Sequence, residues 1–177
     1  MKLENPTVKL RAVEPADVEL LYLWENDPET WVAGESIAPC SRFELEKYVL
    51  SEGDIFANRQ LRLMIDDNRS ETPATVGAVD LFDFNPAHNR AGVGILIYSR
   101  LHRQKGYATA ALEILIEYAS TALNLHLLYC NIRADNKPSL DCFKKAGFEV
   151  CGVKKSWNSS PNGRVDEIMM QLLLTSV

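Results

Sequence analysis

The chain has 177 residues, long enough to bury one proper core, and its 46% apolar and 24% charged content is that of an ordinary globular protein. A net charge of −5 argues against a nucleic-acid partner, which requires a basic face. No apolar run is long enough to cross a bilayer, and the opening "MKLENPTVKLRAV" lacks the apolar stretch of a signal peptide, so no membrane partner and a cytoplasmic setting are expected.

"TVKLRAV" alternates and predicts a strand. "EPADVELLYLWEN" predicts a helix, with Pro15 in its first turn and Leu20, Leu21 and Trp24 on one face. Residues 26–40 read as irregular. "SRFELEKYVLSE" predicts a second helix, with Ser41 as N-cap and Glu44 three residues on in a capping-box pattern. "QLRLMID" and "ATVGAVDLFDF" predict strands, and "NPAHN" turns the chain into "RAGVGILIY". That last strand is apolar on both faces, with Val93, Ile95 and Ile97 on one side and Leu96 and Tyr98 on the other, so it belongs in the middle of a sheet. The next segment carries Ala108, Ala111, Leu112, Leu115, Ile116 and Ala119 at helical spacing. "HLLYCNIR" predicts a strand. "NKPSLDCFKKAG" predicts a short helix stopped by Gly147, and "FEVCGVKKSW" and "RVDEIMMQLLL" two final strands. The order β-α-α-β-β-β-α-β-α-β-β suggests an α/β sandwich on a mixed sheet, with a right-handed central β-α-β unit. Neither a repeat nor a linker divides residues 1–177, so one domain is expected. Cys40, Cys130, Cys142 and Cys151 form no C-x-x-C pair and read as reduced structural thiols. His88, His102 and His126 lack metal-ligand spacing, and no metal site is expected.

The chemistry gathers at "RQKGYA", residues 103–108, where the central strand gives way to a helix. A glycine-containing turn that opens a helix exposes several backbone N–H groups, and the helix dipole adds partial positive charge. Gly106 lets a ligand approach the backbone, Ala108 keeps the next position small, and Arg103 and Lys105 add formal charge. The result is a cradle for a diphosphate. Its spacing fits neither the nucleoside-triphosphate loop nor the dinucleotide fingerprint.

With "RQKGYA", the segments "DNKPS", "FKKAGF", "NGRVDEIMMQLL" and "LRAVEPADVELLYLWEND" resemble the GNAT superfamily of acyl-CoA-dependent N-acetyltransferases. Within it they are most similar to the group holding the ribosomal-protein N-terminal and spermidine acetyltransferases. The resemblance spans about residues 8–174 and implies a mixed, mostly antiparallel sheet with helices on both faces and a central βαβ splay. It implies acetyl-CoA as cosubstrate, its pyrophosphate held on the turn formed by Arg103, Gln104, Lys105, Gly106, Tyr107 and Ala108. It implies that the pantetheine arm pairs with the backbone near Leu96 and Ile97, and that Asn136 and Ser139 stand where the family contacts the coenzyme.

The implied reaction is direct attack of a neutral amine on the thioester, with backbone N–H groups stabilising the oxyanion. In the spermidine acetyltransferases a tyrosine before "GF" protonates the leaving thiolate; here that register holds Phe143, which has no proton to give. Ser139 acting through water, Tyr98 or Tyr107 acting in its place, or no acid at all are the alternatives. Cys142 reads as a buried structural thiol.

Residues 12–41 hold no Lys or Arg but include Glu14, Asp17, Glu19, Glu25, Asp27, Glu29 and Glu35. The resemblance puts this stretch over the acceptor end of the cleft, where carboxylates and Trp31 suit a polyamine or a basic peptide. The same carboxylates also fit a helix N-terminus and a solvated face. Glu35 is the leading acceptor-site and catalytic candidate beside Ser139, and Asp80 and Asp83 are further candidates for the base. "KKSWNSSPNGR" reads as an exposed turn or a contact to a partner subunit in a homodimer or larger homo-oligomer. The expected function is acetyl transfer to a primary amine of a small molecule, a polyamine among them. The alternatives are acetylation of a peptide N-terminus and non-catalytic coenzyme A binding.

Overall fold

The computed structural model describes residues 2–33, 38–51, 53–71 and 74–174. Its strands are β1 (Val8–Ala12), β2 (Leu61–Asp67), β3 (Thr75–Asn85), β4 (Arg90–Ile97), β5 (Leu127–Arg133), β6 (Glu149–Ser160) and β7 (Gly163–Leu173). The helices are α1 (Val18–Glu25), α2 (Pro28–Ala33), α3 (Arg42–Ser51), α4 (Ile55–Asn58), α5 (Tyr107–Thr121) and α6 (Lys137–Lys145). One seven-stranded sheet runs in the order β1-β2-β3-β4-β5-β7-β6. Every pairing is antiparallel except β4 with β5, and β4 holds the central place its doubly apolar sequence predicts.

Period-two alternation sorts the sheet's side chains onto two cores. Leu63 and Ile65 of β2, Val79 and Leu81 of β3, Val93 of β4 and Leu128 and Cys130 of β5 lie in the core that carries α5 and α6. Met64 and Ala78 face the other way and pack with Val18, Leu21 and Trp24 of α1 and Leu45 and Val49 of α3. Helix α5 buries Tyr107, Ala110, Ala111, Ile114, Leu115 and Ala119 on one stripe, so its polar face is left to solvent. Each Leu or Ile buried this way contributes about 1.5–3 kcal/mol.

Most helix starts follow the sequence signals. Ser41 and Glu44 cap α3 reciprocally, Ser41 N–H donating to Glu44 Oε2 at 2.8 Å and Glu44 N–H to Ser41 Oγ at 3.2 Å. Two short helices depart from the expected loops. α2 occupies part of the stretch read as irregular, because Asp27 Oδ1 accepts the Glu29 N–H at 2.8 Å and Pro28 is preset for a first turn. α4 is one turn capped by Asp54, whose Oδ1 accepts from Phe56 and Ala57, and it ends at Arg59 in a left-handed conformation. Four residues are too few to show a period. Among the described residues no helix is long and apolar enough to cross a membrane.

Candidate active site

β4 and β5 pair only at Arg90–Leu127, Ala91–Leu128 and Gly92–Tyr129, and then separate. The remaining five residues of β4 stay paired with β3 alone. The Tyr98 N–H donates to the Val76 carbonyl at 3.1 Å. In an antiparallel pair alternate residues face the same neighbour, so Leu96 and Gly94 also turn their amide groups to β3. Those of Val93, Ile95 and Ile97 face the gap. Of the two residues expected to meet the pantetheine arm, Ile97 turns its amide to that gap and Leu96 turns its amide to β3.

The turn after β4 runs through a single 3₁₀ turn, Arg100–His102, into α5. Gln104 and Gly106 are both left-handed, with φ of 61° and 84°. Gly106 is the N-cap of α5 and no side chain caps the helix there. The first amides of α5 therefore lack intrahelical acceptors. A Cβ built on Gly106 would meet nothing within 4 Å, so the space beside the turn is open there. Lys105 and Gln104 are exposed beside it. Arg103 is directed elsewhere: its Nε donates to the Ile97 carbonyl and its Nη2 to the Tyr98 carbonyl, both at 3.1 Å. The Tyr107 side chain is buried and its hydroxyl donates to Asp67 at 2.7 Å. Arg69 stacks on that ring at 4.2 Å and donates to the Lys105 carbonyl at 3.3 Å. The turn is thus braced from β2.

Asn136 is the N-cap of α6, and its Oδ1 accepts the Ser139 N–H at 3.3 Å. Phe143 is a core side chain, set edge-on to Phe148 with ring centroids 5.0 Å apart. Cys142 lies half-buried with its Sγ 3.7 Å from Thr109 Oγ1, and burial pushes its thiol upward. Tyr98 donates to Asp27 at 3.0 Å. Burial and then the neighbouring carboxylate raise both Tyr98 and Tyr107 above the ordinary tyrosine range, which makes either a poorer proton donor to a thiolate.

On the opposite face of the sheet a cleft of about 580 Å³ is lined by Glu25, Glu44, Tyr48, Arg62, Asp80 and Phe82 among others. Arg62 binds Asp80 through two nitrogens, at 2.7 and 3.2 Å, and reaches Glu25 at 2.9 Å. Burial lowers its pKa, but Asp80, Tyr48 and Glu25 more than offset this and hold the guanidinium charged. Asp83 sits apart, in a bulge of β3 with φ 48°, where it accepts from Tyr129 at 3.0 Å.

The acidic stretch expected over the acceptor end is largely spent on partners within the chain. Asp17 is clamped by Arg11 at 2.7 and 2.8 Å, Glu19 by Arg42, and Glu29 by Arg100. Trp31 donates its Nε1 to the Glu25 carbonyl at 2.6 Å. Of these carboxylates, Glu25 lines the cleft. Glu35 lies outside the described residues.

Residues 7–149 match the acetyltransferase (GNAT) domain family, which is most of the chain. The chain belongs to the GNAT acetyltransferase family. It is 27% identical over 178 residues to the spermidine N(1)-acetyltransferase of Vibrio cholerae serotype O1, a match covering 97% of this chain and 95% of that one. Its fold is shared with the crystal structure of spermidine N-acetyltransferase from Vibrio cholerae in complex with CoA and spermine, at TM-score 0.85 and 24% identity over 97% and 98% of the two chains. It is also shared with a ribosomal L7/L12 alpha-N-protein acetyltransferase in complex with coenzyme A, at TM-score 0.81 and 17% identity over 98% and 97%.

In this cleft, Arg62 is a residue the sequence did not single out, and Glu44 was read there only as a helix cap. Arg62 is a cation inside an alternating strand, and its phase, opposite Leu63 and Ile65, already turns it away from the main core. Nothing local to it signals Glu25 and Asp80 as its partners.

Proposed function

We propose that the chain transfers the acetyl group of acetyl-CoA to a primary amine of a small polycation of the polyamine class, with residues 1–177 acting as one catalytic domain. The observation that carries this reading is the divergence of β4 from β5 directly before the uncapped start of α5. An extended arm fits between the strands, with the amides of Ile95 and Ile97 as its partners. A diphosphate fits the open amides of Gly106, Tyr107 and Ala108, flanked by Gln104 and Lys105. Arg103 serves by fixing the end of β4 and so the entrance to the gap. Asn136 and Ser139 open α6 on the far side and complete the coenzyme site, where the Ser139 hydroxyl is the remaining candidate to relay a proton.

The acceptor reading rests on the carboxylates of Glu25, Glu44 and Asp80 in one cleft on the other face of the sheet. It is supported by the spermidine activity that the Vibrio cholerae relative's name states. A homo-oligomer is the expected assembly, as in the dodecameric structure of the spermidine N-acetyltransferase from Vibrio cholerae.

Release of coenzyme A thiol is the test, with acetyl-CoA and a panel of diamines, triamines, amino sugars and peptides. Turnover concentrated on the aliphatic polyamines is expected. Turnover on peptides alone would favour acetylation of protein N-termini. Coenzyme binding without turnover on any acceptor would overturn the enzymatic reading.

A further inference from the structure

The acceptor cleft contains its own cation. Arg62 projects from β2 into the space between α1, α3 and β3, with its side chain three-quarters buried. It neutralises Glu25 on one side and Asp80 on the other, and its guanidinium lies 5.7 Å from the centre of the Tyr48 ring. Among the described residues the cleft's charged lining is three carboxylates, Glu25, Glu44 and Asp80, and one guanidinium, a net of −2. An incoming ammonium meets two carboxylates already engaged.

We infer that Arg62 is a specificity-determining residue that limits how many positive charges the acceptor carries into the cleft; this rests on the polyamine reading above. Removing its charge while keeping a polar side chain leaves three carboxylates to be neutralised by substrate. One unit charge across a cleft of this size, at the effective dielectric of a protein surface, changes the affinity of each ammonium by about tenfold. The gain grows with the number of nitrogens, so the ratio between a triamine and a monoamine must move.

The experiment uses the full chain with Arg62→Gln and Arg62→Lys. It measures kcat/KM and the ligand-induced rise in Tm for a monoamine, a diamine and a triamine of matched methylene spacing. Arg62→Gln is expected to raise the triamine-to-monoamine ratio by about tenfold for each ammonium the triamine carries beyond the monoamine, about a hundredfold in all. Arg62→Lys, which keeps the charge, stays near the parent ratio. An equal change for all three amines, or a falling ratio in Arg62→Gln, overturns the proposal. If Arg62→Gln does not fold, Glu25→Gln carries the test: it removes a negative charge while Arg62 remains, and the ratio must fall; an unchanged ratio overturns the proposal. If the parent chain turns over none of the amines, the functional reading fails by itself. The Tm increments then decide on Arg62, with a larger triamine increment in Arg62→Gln supporting its role and equal increments overturning it.

Discussion

Tyr129 of β5 reaches across β4 to donate its hydroxyl to Asp83 of β3 at 3.0 Å. The crossing passes over Gly92, which is paired with Phe82 on one side and Tyr129 on the other. The two rings meet edge-on at 5.8 Å, and a Cβ on Gly92 would collide with Phe82. The contact therefore clamps the three strands at the point where the gap begins.

Tyr129 is pushed up to about 12, first by burial and then by Asp83. A folded pKa above the unfolded value means that its stabilisation is complete below about pH 10 and lost as pH rises through about 12. Ultraviolet titration should show a tyrosine phase at about pH 12, and Tyr129→Phe should remove it at a cost of about 1 kcal/mol. Gly92→Ala, by forcing Phe82 aside, should cost about 1–3 kcal/mol in urea unfolding.

At the mouth of the gap, Gly106→Ala separates folding from binding. Its φ of 84° makes any side chain strained, for about 1 kcal/mol of stability. The added methyl group occupies space that is open beside the start of α5, so on the proposed function coenzyme A affinity should fall on the order of tenfold or more by calorimetry. A variant that loses stability and keeps its affinity would remove the anion site from this turn.

Acid sensitivity should concentrate at Asp17. Burial raises its pKa, but the Arg11 guanidinium and the Glu14 N–H more than offset this, so the carboxyl ionises below the ordinary aspartate range. The stabilisation is therefore present above about pH 4 and lost as pH falls through the lower folded value. Asp17→Asn should cost about 2 kcal/mol at neutral pH, less than a fully buried pair because Arg11 keeps some exposure. Chemical denaturation across pH 2–6 should show a shallower slope for this variant than for the parent.

The central place of β4 and the turn at Gly106 were legible because both rest on local signals. β4 announces its central place by being apolar on both faces, and Gly106 announces a left-handed turn. The acceptor end was not legible for the opposite reason. Glu19, Glu25 and Glu29 look available in the sequence, yet Arg42, Arg62 and Arg100 claim them from 23, 37 and 71 residues away. Phe143 carries the same lesson. Its register marks a missing proton donor, whereas its place in the core, edge-on to Phe148, depends on how α6 lies on the sheet. Arg103 holds the motif position of a phosphate contact but turns back to splint its own strand, because the carbonyls of Ile97 and Tyr98 lie within its reach.

From Val93 onward, β4 has run out of neighbours on one edge while still in the middle of the sheet. Bare strand edges normally lie at the rim of a fold, where they invite a stranger's backbone and lead to aggregation. Here the bare seam is five residues long and lies in the middle of the sheet. A hazard most folds must blunt has been turned inward, and on the proposed function it becomes a keyhole.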